Sequence, residues 1–247
     1  MDHPEICYAL LCSHRSGSTL LSNLLSQTEV AGKPGEFFSH WNGRSYKNFD
    51  FTDYPAYINR VLQESRTSNG VFGVKVMTAM DGFQGVLQKL EAFPTYEKLS
   101  DTEKIRTFFP NIKFVYLTRR NKVHQAISWW KAAQNDHYHT TETASMPDTP
   151  LEYNFDAITH LLKEVSMEEC AHQEFLAMMD AVPLTVVYED FIQDMEGTVQ
   201  RIIDFLGIKE DYTYLEPKIF KMADDLTEEW AQRYRKEVQD GWQNVRW

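Results

Sequence analysis

The sequence predicts an α/β fold in which a central, mostly parallel sheet lies between two layers of helices. Four short apolar runs, each bounded by polar residues, have the composition of buried strands. Segments with helical periodicity lie between or after these runs, as expected for a parallel sheet that is covered on both faces. Because the chain has 247 residues, we expect one large domain over residues 1–247.

The predicted strands are rich in apolar and β-branched residues. In chain order they are residues 6–12 ("ICYALLC"), 71–77 ("VFGVKVM"), 113–118 ("KFVYLT") and 184–189 ("LTVVYE"). Each run is shorter than an ordinary helix, and polar residues on both sides mark its ends. We therefore expect four strands that are joined by right-handed crossovers.

The predicted helices follow from apolar residues at spacings of three and four. They cover residues 19–27, about 53–66, 82–92, 121–134, 155–180 and 197–206. The last pattern is the clearest, because Gly207 is placed to end the helix. Its apolar face consists of Val199, Ile202, Ile203 and Leu206.

Two segments lie outside this alternation. Residues 135–154 are polar, contain two prolines and have little periodicity, which predicts a mobile loop on the substrate side of the protein. The C-terminal tail, residues 227–247, has an apolar stripe that packs either on the body of the protein or on a second subunit. The stripe residues recur every four positions and are Trp230, Tyr234, Val238 and Trp242.

The composition limits the partners and the compartment. The net charge is −11, which argues against nucleic acid as the main partner, since phosphate backbones bind basic surfaces. Cys7, Cys12 and Cys170 are too few and too scattered for a disulfide framework or a zinc site. The first residues, "MDHPE", lack a basic signal region, and no apolar stretch approaches the length of a membrane span. We therefore expect a cytoplasmic protein that is not integral to a membrane.

The stretch "SHRSGST", which joins the first strand to the first helix, has the properties of an anion site. The first backbone N–H groups of a helix lack intrahelical partners, and the helix dipole adds positive charge there. Gly17 permits a tight turn and lets a phosphate approach the backbone, and Arg15 can bind two oxygens at once. The hydroxyl donors are Ser16, Ser18 and Thr19. The alternative is an ordinary capped turn.

This stretch differs from the loop that binds nucleoside triphosphates. That loop has the pattern G-x-x-x-x-G-K-[ST], and both its first glycine and its lysine are missing here. The order strand, loop and helix is P-loop-like, but the stretch does not keep the full signature of triphosphate and magnesium binding. The difference argues against a nucleoside triphosphate as the ligand.

A second candidate anion site lies in "YLTRRNKVHQAISWW", residues 116–130. Arg119 and Arg120 lie at the end of a strand, and Ser128 follows on the next helix. Ser128 returns to within about 80° of the direction of Arg120, about 12 Å along the helix axis, so both residues can hold one phosphate. The alternative is a solvated basic start of the helix. Two anion sites at the carboxyl ends of parallel strands suit a ligand with two separated phosphate groups.

Residues 15–19 ("RSGST") and 120–128 ("RNKVHQAIS") together resemble the sulfotransferases that use 3′-phosphoadenosine 5′-phosphosulfate (PAPS) as sulfonyl donor. In that superfamily the first element holds the 5′-phosphosulfate, and many members have lysine where this chain has Arg15. The matching arginine and serine, here Arg120 and Ser128, hold the 3′-phosphate. The resemblance implies a P-loop-like three-layer sandwich that binds PAPS, releases adenosine 3′,5′-bisphosphate (PAP) and requires no metal.

The likeness is closest to the bacterial carbohydrate sulfotransferases typified by trehalose 2-sulfotransferase. In that branch the loop is followed by a Pro/Gly turn and Glu-Phe-Phe, as in "AGKPGEFF", residues 31–38. Residues 72–77, 188–208 and 226–235 are also similar. The likeness implies that Glu36 is the general base for a hydroxyl of a sugar acceptor and that the enzyme forms a homodimer.

The chain differs from a related branch at the position of that branch's general base. The cytosolic animal sulfotransferases take their base from a histidine that lies two residues after a strand lysine. Here Lys75 lies at a similar place, but position 77 is Met77, and this supports Glu36 as the base. Lys75 is then expected to contact the sulfonyl oxygens, the alternative being a surface lysine at a strand end.

Further residues are candidates for the pocket walls. Adenine needs an apolar or aromatic pocket, and we expect it from Tyr188, or from Trp230 with Arg233 and Arg235. The alternative is that these aromatic side chains belong to the core. For His14, the likeness assigns no role, and both lining of the site and local packing stay open.

Two other functions stay open from the sequence. A nucleotide-bisphosphate binding protein without catalysis would keep Arg15, Arg120 and Ser128 but would not need Glu36. A small-molecule kinase on the same P-loop-like fold would need ATP and magnesium, and the missing P-loop lysine argues against it. Docking of a partner on the aromatic tail is compatible with catalysis.

Overall fold

The computed structural model describes residues 4–38, 54–77, 94–135, 150–217 and 225–241, together with residues 83, 87 and 90. The strands are β1 (Ile6–Cys12), β2 (Val71–Val76), β3 (Lys113–Thr118) and β4 (Leu184–Val187). The helices are α1 (Ser18–Gln27), α2 (Tyr54–Ser65), α3 (Asp101–Phe108), α4 (Lys122–Asn135), α5 (Phe155–Met178), α6 (Tyr188–Phe191), α7 (Met195–Leu206) and α8 (Asp225–Val238). Within these described ranges, no helix is both long enough and apolar enough to cross a membrane.

The described strands form a parallel sheet in the order β2-β1-β3-β4. In its centre, Ala9 of β1 pairs with Val74 of β2 and with Phe114 of β3. Because the chain leaves β1 toward β2 and then returns past β1 to β3, the strand order switches between β1 and β3. In open α/β sheets, ligands bind at such a switch, outside the carboxyl ends of the strands. The turns that follow β1 and β3 therefore lie where a ligand site is expected.

Each face of the sheet is buried against its own layer of helices. Successive side chains of a strand point to opposite faces, so Ala9 and Leu11 pack on one side and Leu10 packs on the other. The first face is covered by α2, α3 and α5, and the second by α1 and α7. The sheet and its two helix layers confirm the predicted three-layer α/β sandwich.

The predicted element boundaries agree with the structure to within a few residues. β4 ends earlier than predicted, because the chain turns into α6 at Tyr188. α7 begins earlier than predicted, because the Asp194 side chain caps it by accepting a hydrogen bond from the Gly197 N–H. Most of the helix predicted over 82–92 lies outside the described residues, although residues 83, 87 and 90 are helical.

α3 is not among the helices predicted from the sequence, although it carries a recognisable signal. Ser100 and Glu103 form a capping box, in which the Ser100 Oγ accepts from the Glu103 N–H and the Glu103 carboxylate accepts from the Ser100 N–H. Ile105 and Phe108 then pack on the sheet. With eight residues, the helix has too few turns for its apolar period to stand out.

The C-terminal stripe packs on the body of the protein where the structure describes it. Trp230 and Tyr234 of α8 are buried against α4 and α5, and Trp230 is only 4 % exposed. For these two residues the structure decides between the two predicted partners, the body and a second subunit. Trp242 lies outside the described residues, as do residues 136–149 of the predicted substrate-side loop.

The three cysteines are free thiols. Cys7 and Cys12 are buried in β1, where burial raises the pKa of each thiol to about 12. Cys170 is exposed on α5. The two buried thiols thus act as small apolar side chains of the core.

Candidate active site

Two residues in the turn between β1 and α1 have left-handed backbone conformations, Arg15 with φ 60° and Gly17 with φ 93°. A Cβ atom on Gly17 would lie 2.5 Å from Cδ2 of Tyr188, so the position requires glycine. The Ser16 hydroxyl donates to the Ser13 carbonyl at 2.7 Å. These contacts fix the shape of the turn and maintain the uncommon backbone conformation of Arg15.

The N-terminus of α1 is available to an anion. Its N-cap residue is Gly17, no side chain caps the helix within the described residues, and its first turn contains no acidic residue. The first N–H groups, including those of Ser18 and Thr19, therefore lack intrahelical acceptors. Of the predicted hydroxyl donors, Ser16 is used inside the turn, Ser18 is buried beside the Met77 sulfur, and Thr19 is exposed. The backbone amides and the helix dipole suit a phosphate group at this point.

The two predicted anion sites contact one another. Arg15 Nε donates to Ser128 Oγ at 3.2 Å, and Arg119 Nη1 donates to the Arg15 carbonyl at 3.3 Å. Arg120 instead binds Asp190, with Nη2 at 2.7 Å from Oδ2. The partner of Ser128 in this structure is therefore Arg15, whereas the sequence analysis pairs Ser128 with Arg120. The arrangement places Arg15 between the turn after β1 and the helix after β3.

Arg119 is the buried member of the arginine pair at the end of β3. Its guanidinium lies over the ring of Tyr188, 4.6 Å from the centroid, and its Nε is 3.9 Å from a carboxylate oxygen of Glu189. Burial lowers the pKa of Arg119, and the neighbouring Tyr188 and Glu189 oppose that shift. No role is predicted for Arg119 from the sequence, yet this residue links the two turns.

The carboxylate of Glu189 lies at the N-terminus of α4. It accepts hydrogen bonds from the N–H of Arg120 at 2.8 Å and from the N–H of Asn121 at 3.0 Å. Burial raises the pKa of Glu189, but these backbone hydrogen bonds and the charge of Arg119 outweigh it, so the pKa is lowered overall. A carboxylate of the protein thus occupies the position that an anion would take at this helix.

Glu36 and Lys75 form an ion pair at the carboxyl end of β2. Lys75 Nζ lies 2.7 Å from Glu36 Oε1, with the Lys75 side chain 8 % exposed and the Glu36 side chain 37 % exposed. The pair forms because Gly35 bridges to Val74 at the edge of β2, with the Lys75 N–H donating to the Gly35 carbonyl. The predicted base and the predicted sulfonyl contact are therefore neighbours.

Polar side chains of α5 bind the ends of three strands. Glu169 accepts hydrogen bonds from the hydroxyls of Ser13 and Thr118 and from the ammonium of Lys122. His172 Nε2 lies 3.1 Å from the carbonyl oxygen of Cys12 and 3.1 Å from that of Met77. Burial lowers the pKa of His172, so a neutral ring bridges β1 and β2. This network is not among the predictions from the sequence, where its signal is a polar stripe on an otherwise apolar helix face.

His14 is fixed from several directions. Its Nδ1 lies 2.5 Å from Glu168 Oε1, and its backbone N–H donates to Glu168 Oε2 at 2.9 Å. Its ring stacks on Trp129 with centroids 4.2 Å apart and planes inclined by 15°. Gln125 Nε2 donates to its carbonyl at 2.6 Å. His14 thus has specific partners on both α4 and α5.

The residues predicted for an adenine pocket lie in different surroundings. Trp230 belongs to the core between α4, α5 and α8. Arg233 lies over the ring of Tyr153, 3.9 Å from the centroid, whereas Arg235 reaches Asn121 in the turn after β3 at 3.4 Å. Tyr188 contacts Gly17 and is the aromatic residue of this set that adjoins the turn after β1.

The site therefore combines an uncapped helix N-terminus with three arginines and a carboxylate. The cationic groups are those of Arg15, Arg119 and Arg120, and the Glu36–Lys75 pair lies at the adjacent strand end. Such a set can hold a phosphate, stabilise charge on a leaving oxygen and accept a proton. Among the described residues, no group of three or more histidine, cysteine, aspartate or glutamate side chains is arranged to hold a metal ion.

Comparisons with known proteins show which family the chain resembles. A family model described as Stf0 sulphotransferase matches residues 7–237. Trehalose 2-sulfotransferase of Mycolicibacterium smegmatis is 27 % identical over 264 aligned positions, which cover 96 % of this chain and 97 % of that protein. Trehalose 2-sulfotransferase of Mycobacterium tuberculosis is 25 % identical over 257 positions, which cover 94 % and 95 % respectively.

A solved structure supports the fold. The crystal structure of a sulfotransferase from Alicyclobacillus acidocaldarius is similar with a TM-score of 0.53 and 17 % identity, over 96 % of this chain and 94 % of that chain. At this identity the likeness concerns the architecture and carries no residue roles.

Proposed function

The chain belongs to the Stf0 sulphotransferase family, and from this premise we propose that it transfers a sulfonyl group from PAPS to a hydroxyl of a carbohydrate. Sulfonyl transfer resembles phosphoryl transfer in being an in-line displacement that builds charge on the leaving oxygen. The observation that carries the proposal is the uncapped N-terminus of α1 beside Arg15, at the switch in strand order. This position suits the 5′-phosphate of the donor, which is the leaving group.

The residues of the turn have distinct roles in this proposal. The backbone N–H groups at the start of α1 and the guanidinium of Arg15 stabilise the charge that develops on the leaving phosphate. Ser128 orients Arg15 through the hydrogen bond to Nε. Arg119 holds the carbonyl of Arg15, so the donor groups are in place before the ligand binds, which lowers the cost of reorganisation.

The 3′-phosphate of the donor is assigned to Arg120 and Ser128. This assignment comes from the sequence resemblance, and it requires Arg120 to leave Asp190. The Arg120 and Asp190 side chains are 61 % and 55 % exposed, and an exposed ion pair contributes only about 0–1 kcal/mol. A phosphate dianion that also binds Ser128 is a stronger partner for the guanidinium than one solvated carboxylate.

Glu36 is the proposed general base. Its carboxylate takes the proton from the acceptor hydroxyl while the new sulfur–oxygen bond forms and the bond to the leaving phosphate breaks. Lys75 holds Glu36 through the ion pair at 2.7 Å. Its ammonium lies at the same strand end as the proposed base and is proposed to bind the sulfonyl oxygens as well. The ion pair and the matched "PGEFF" stretch both support the assignment.

The proposed acceptor class is a sugar, because the two similar enzymes described above are named for trehalose. We further expect a cytoplasmic enzyme that forms a homodimer, as the resemblance implies. Membership of the sulfotransferase family argues against the kinase reading of the sequence. A nucleotide-bisphosphate binding protein without catalysis would bind PAP and transfer nothing, so a transfer assay separates it from the enzyme.

The test is a transfer assay with sulfur-labelled PAPS and a panel of trehalose, maltose and glucose. We expect the native protein to label at least one sugar and the Glu36→Gln variant to turn over at least about 100-fold more slowly, as general-base catalysis contributes about 10²–10⁴. Glutamine can still accept a hydrogen bond from Lys75, so PAP affinity by calorimetry should not change.

A matched control is Glu174→Gln, because Glu174 is exposed on α5. This variant should keep the native rate. Native-like turnover of Glu36→Gln would remove Glu36 from the mechanism, and PAP binding without any transfer would favour the non-catalytic alternative.

A further inference from the structure

His14 has a fixed orientation that the proposed mechanism does not use. One face of its ring stacks on Trp129, and its Nδ1 is bound to Glu168. The ring retains an exposed edge, since the side chain is 32 % exposed. Because Glu168 accepts the hydrogen bond from Nδ1, the second ring nitrogen, Nε2, is the atom left to bind a ligand.

A role in packing alone does not account for Glu168. Its side chain is 10 % exposed, and removing a carboxylate from water costs several kcal/mol unless it is well paired. Both of its oxygens bind groups of His14, one the ring and the other the backbone N–H. The turn is already held by Gln125, which binds the His14 carbonyl, and by the Ser16 hydroxyl. A charged residue that also fixes the ring is a typical partner of a functional histidine.

The ring of His14 lies beside the proposed donor site. His14 precedes Arg15 in the chain, and Trp129 follows Ser128, so the stacked pair adjoins the hydrogen-bonded pair of Arg15 and Ser128. α4 continues from Trp129 to Asn135, where the sequence predicts that the substrate-side segment begins. The acceptor hydroxyl must approach the sulfonyl group next to this donor site.

We infer that His14 binds a hydroxyl of the sugar acceptor through Nε2 and that Glu168 is the residue that positions it. The inference rests on the proposed function. With the proton kept on Nδ1, Nε2 accepts a hydrogen bond from a hydroxyl that neighbours the one deprotonated by Glu36. A site that binds a particular hydroxyl rejects analogues that lack it, so His14 contributes to acceptor selection rather than to the chemical step.

The test separates acceptor binding from chemistry and from loop structure. His14→Phe keeps a ring against Trp129 but removes the ring nitrogen that binds Glu168 Oε1, and only the contact of Oε2 with the backbone N–H of residue 14 remains. The informative variant is therefore the double substitution His14→Phe/Glu168→Gln. We expect its acceptor KM to rise about tenfold for the sugars that the native protein uses, equal to about 1.4 kcal/mol. Its kcat and its affinity for PAP should stay within about twofold of native.

Two comparisons sharpen the test. Glu168→Gln alone should raise the acceptor KM. In a protein that already carries His14→Phe it should cause no further rise in the acceptor KM, because the effects of two residues that act through one another are not additive. His160→Phe is the matched control, because His160 is exposed on α5, and it should leave every constant unchanged.

Each outcome decides a different point. An unchanged acceptor KM in the double variant would overturn the role of His14 while leaving the proposed function intact. Equal losses of PAP affinity and acceptor binding would also overturn it, because they indicate that His14 only shapes the turn. If the native protein labels no sugar in the panel, the proposed acceptor class is wrong and the role of His14 fails with it.

Discussion

The turn after β1 and the turn after β3 differ in the groups that they place at the N-terminus of the following helix. Each contains arginine and leads directly into a helix at the same edge of the sheet. At α1, no acidic residue lies in the first turn and the N-cap is a glycine. At α4, by contrast, the carboxylate of Glu189 binds the N–H groups of Arg120 and Asn121. The N-terminus of α1 therefore has no side-chain cap among the described residues, whereas a carboxylate of the protein binds the backbone at the start of α4.

This difference assigns different tasks to the two turns. The first can use backbone amides, which are rigid and need no reorganisation when charge develops. In the proposed function the second uses side chains, namely Arg120 of the turn and Ser128 of α4, and the nucleotide competes with Asp190 for Arg120. We therefore expect the turn after β1 to control the chemical step and the turn after β3 to control the affinity for the nucleotide.

The largest expected effect comes from Arg15→Gln. Loss of the guanidinium removes the proposed donor to the leaving phosphate, so kcat should fall about 100- to 1,000-fold. Steady-state kinetics with labelled PAPS provides the measurement. Arg60→Gln is the control, since the Arg60 side chain is 62 % exposed on α2.

Arg120→Gln should instead mainly weaken PAP binding. A greater loss of kcat in Arg120→Gln than in Arg15→Gln would mean that the turn after β3, and not the turn after β1, controls the chemical step.

A smaller effect is expected for Glu189→Gln, which should lower the free energy of unfolding. The pKa of Glu189 is lowered in the folded protein, so its stabilisation is present above the ordinary glutamate pKa of about 4.3 and is lost as the pH falls below it. At neutral pH the variant should be less stable by about 1–2 kcal/mol, because an amide donor then faces two backbone N–H groups.

Urea unfolding at neutral pH and at about pH 3.5 measures this difference, which should narrow at the lower pH. Glu174→Gln, on the exposed surface of α5, should show no such dependence. A constant difference at both pH values would mean that the Glu189 carboxylate does not stabilise the start of α4 through its charge.

The smallest expected effect is a gain in the affinity for PAP in the Asp190→Asn variant. Release of Arg120 from its ion pair should tighten PAP binding by up to about fivefold, since an exposed pair contributes about 0–1 kcal/mol. Calorimetric titration provides the measurement. Adenosine 5′-phosphate, which lacks the 3′-phosphate, is the matched control ligand, and its affinity should not change. An equal gain for both ligands would show that Asp190 acts on the site as a whole and not on Arg120.

The sequence predicts the parts of this site that are local in the chain. β1, the turn with Arg15 and Gly17, and α1 follow one another within a short stretch, so composition and spacing are enough to predict them. The pairing of Glu36 with Lys75 is not local, because it depends on the bridge between Gly35 and Val74. The contacts of Glu168 and Glu169 with the turns likewise join residues that are far apart in sequence.

The arginine pair illustrates the limit of prediction from sequence. Consecutive side chains at the end of a strand point in different directions, so one of Arg119 and Arg120 becomes buried and the other remains exposed. The sequence does not indicate which, because the choice depends on the position of Tyr188 and α6, which follow β4, the strand that pairs with β3. The structure buries Arg119 against Tyr188 and leaves Arg120 at the surface with Asp190.

The sequence by itself determined the four strands, most of the helices, the burial of both faces of the sheet and the turn with Arg15 and Gly17 after β1, because each of these depends on neighbouring residues and their periodicity. The tertiary structure alone decided the partner of each charged group: Ser128 with Arg15, Arg120 with Asp190, and His14 with Glu168. The reason is physical, since a charged side chain binds whichever group packing brings within hydrogen-bond distance, and packing depends on the whole chain.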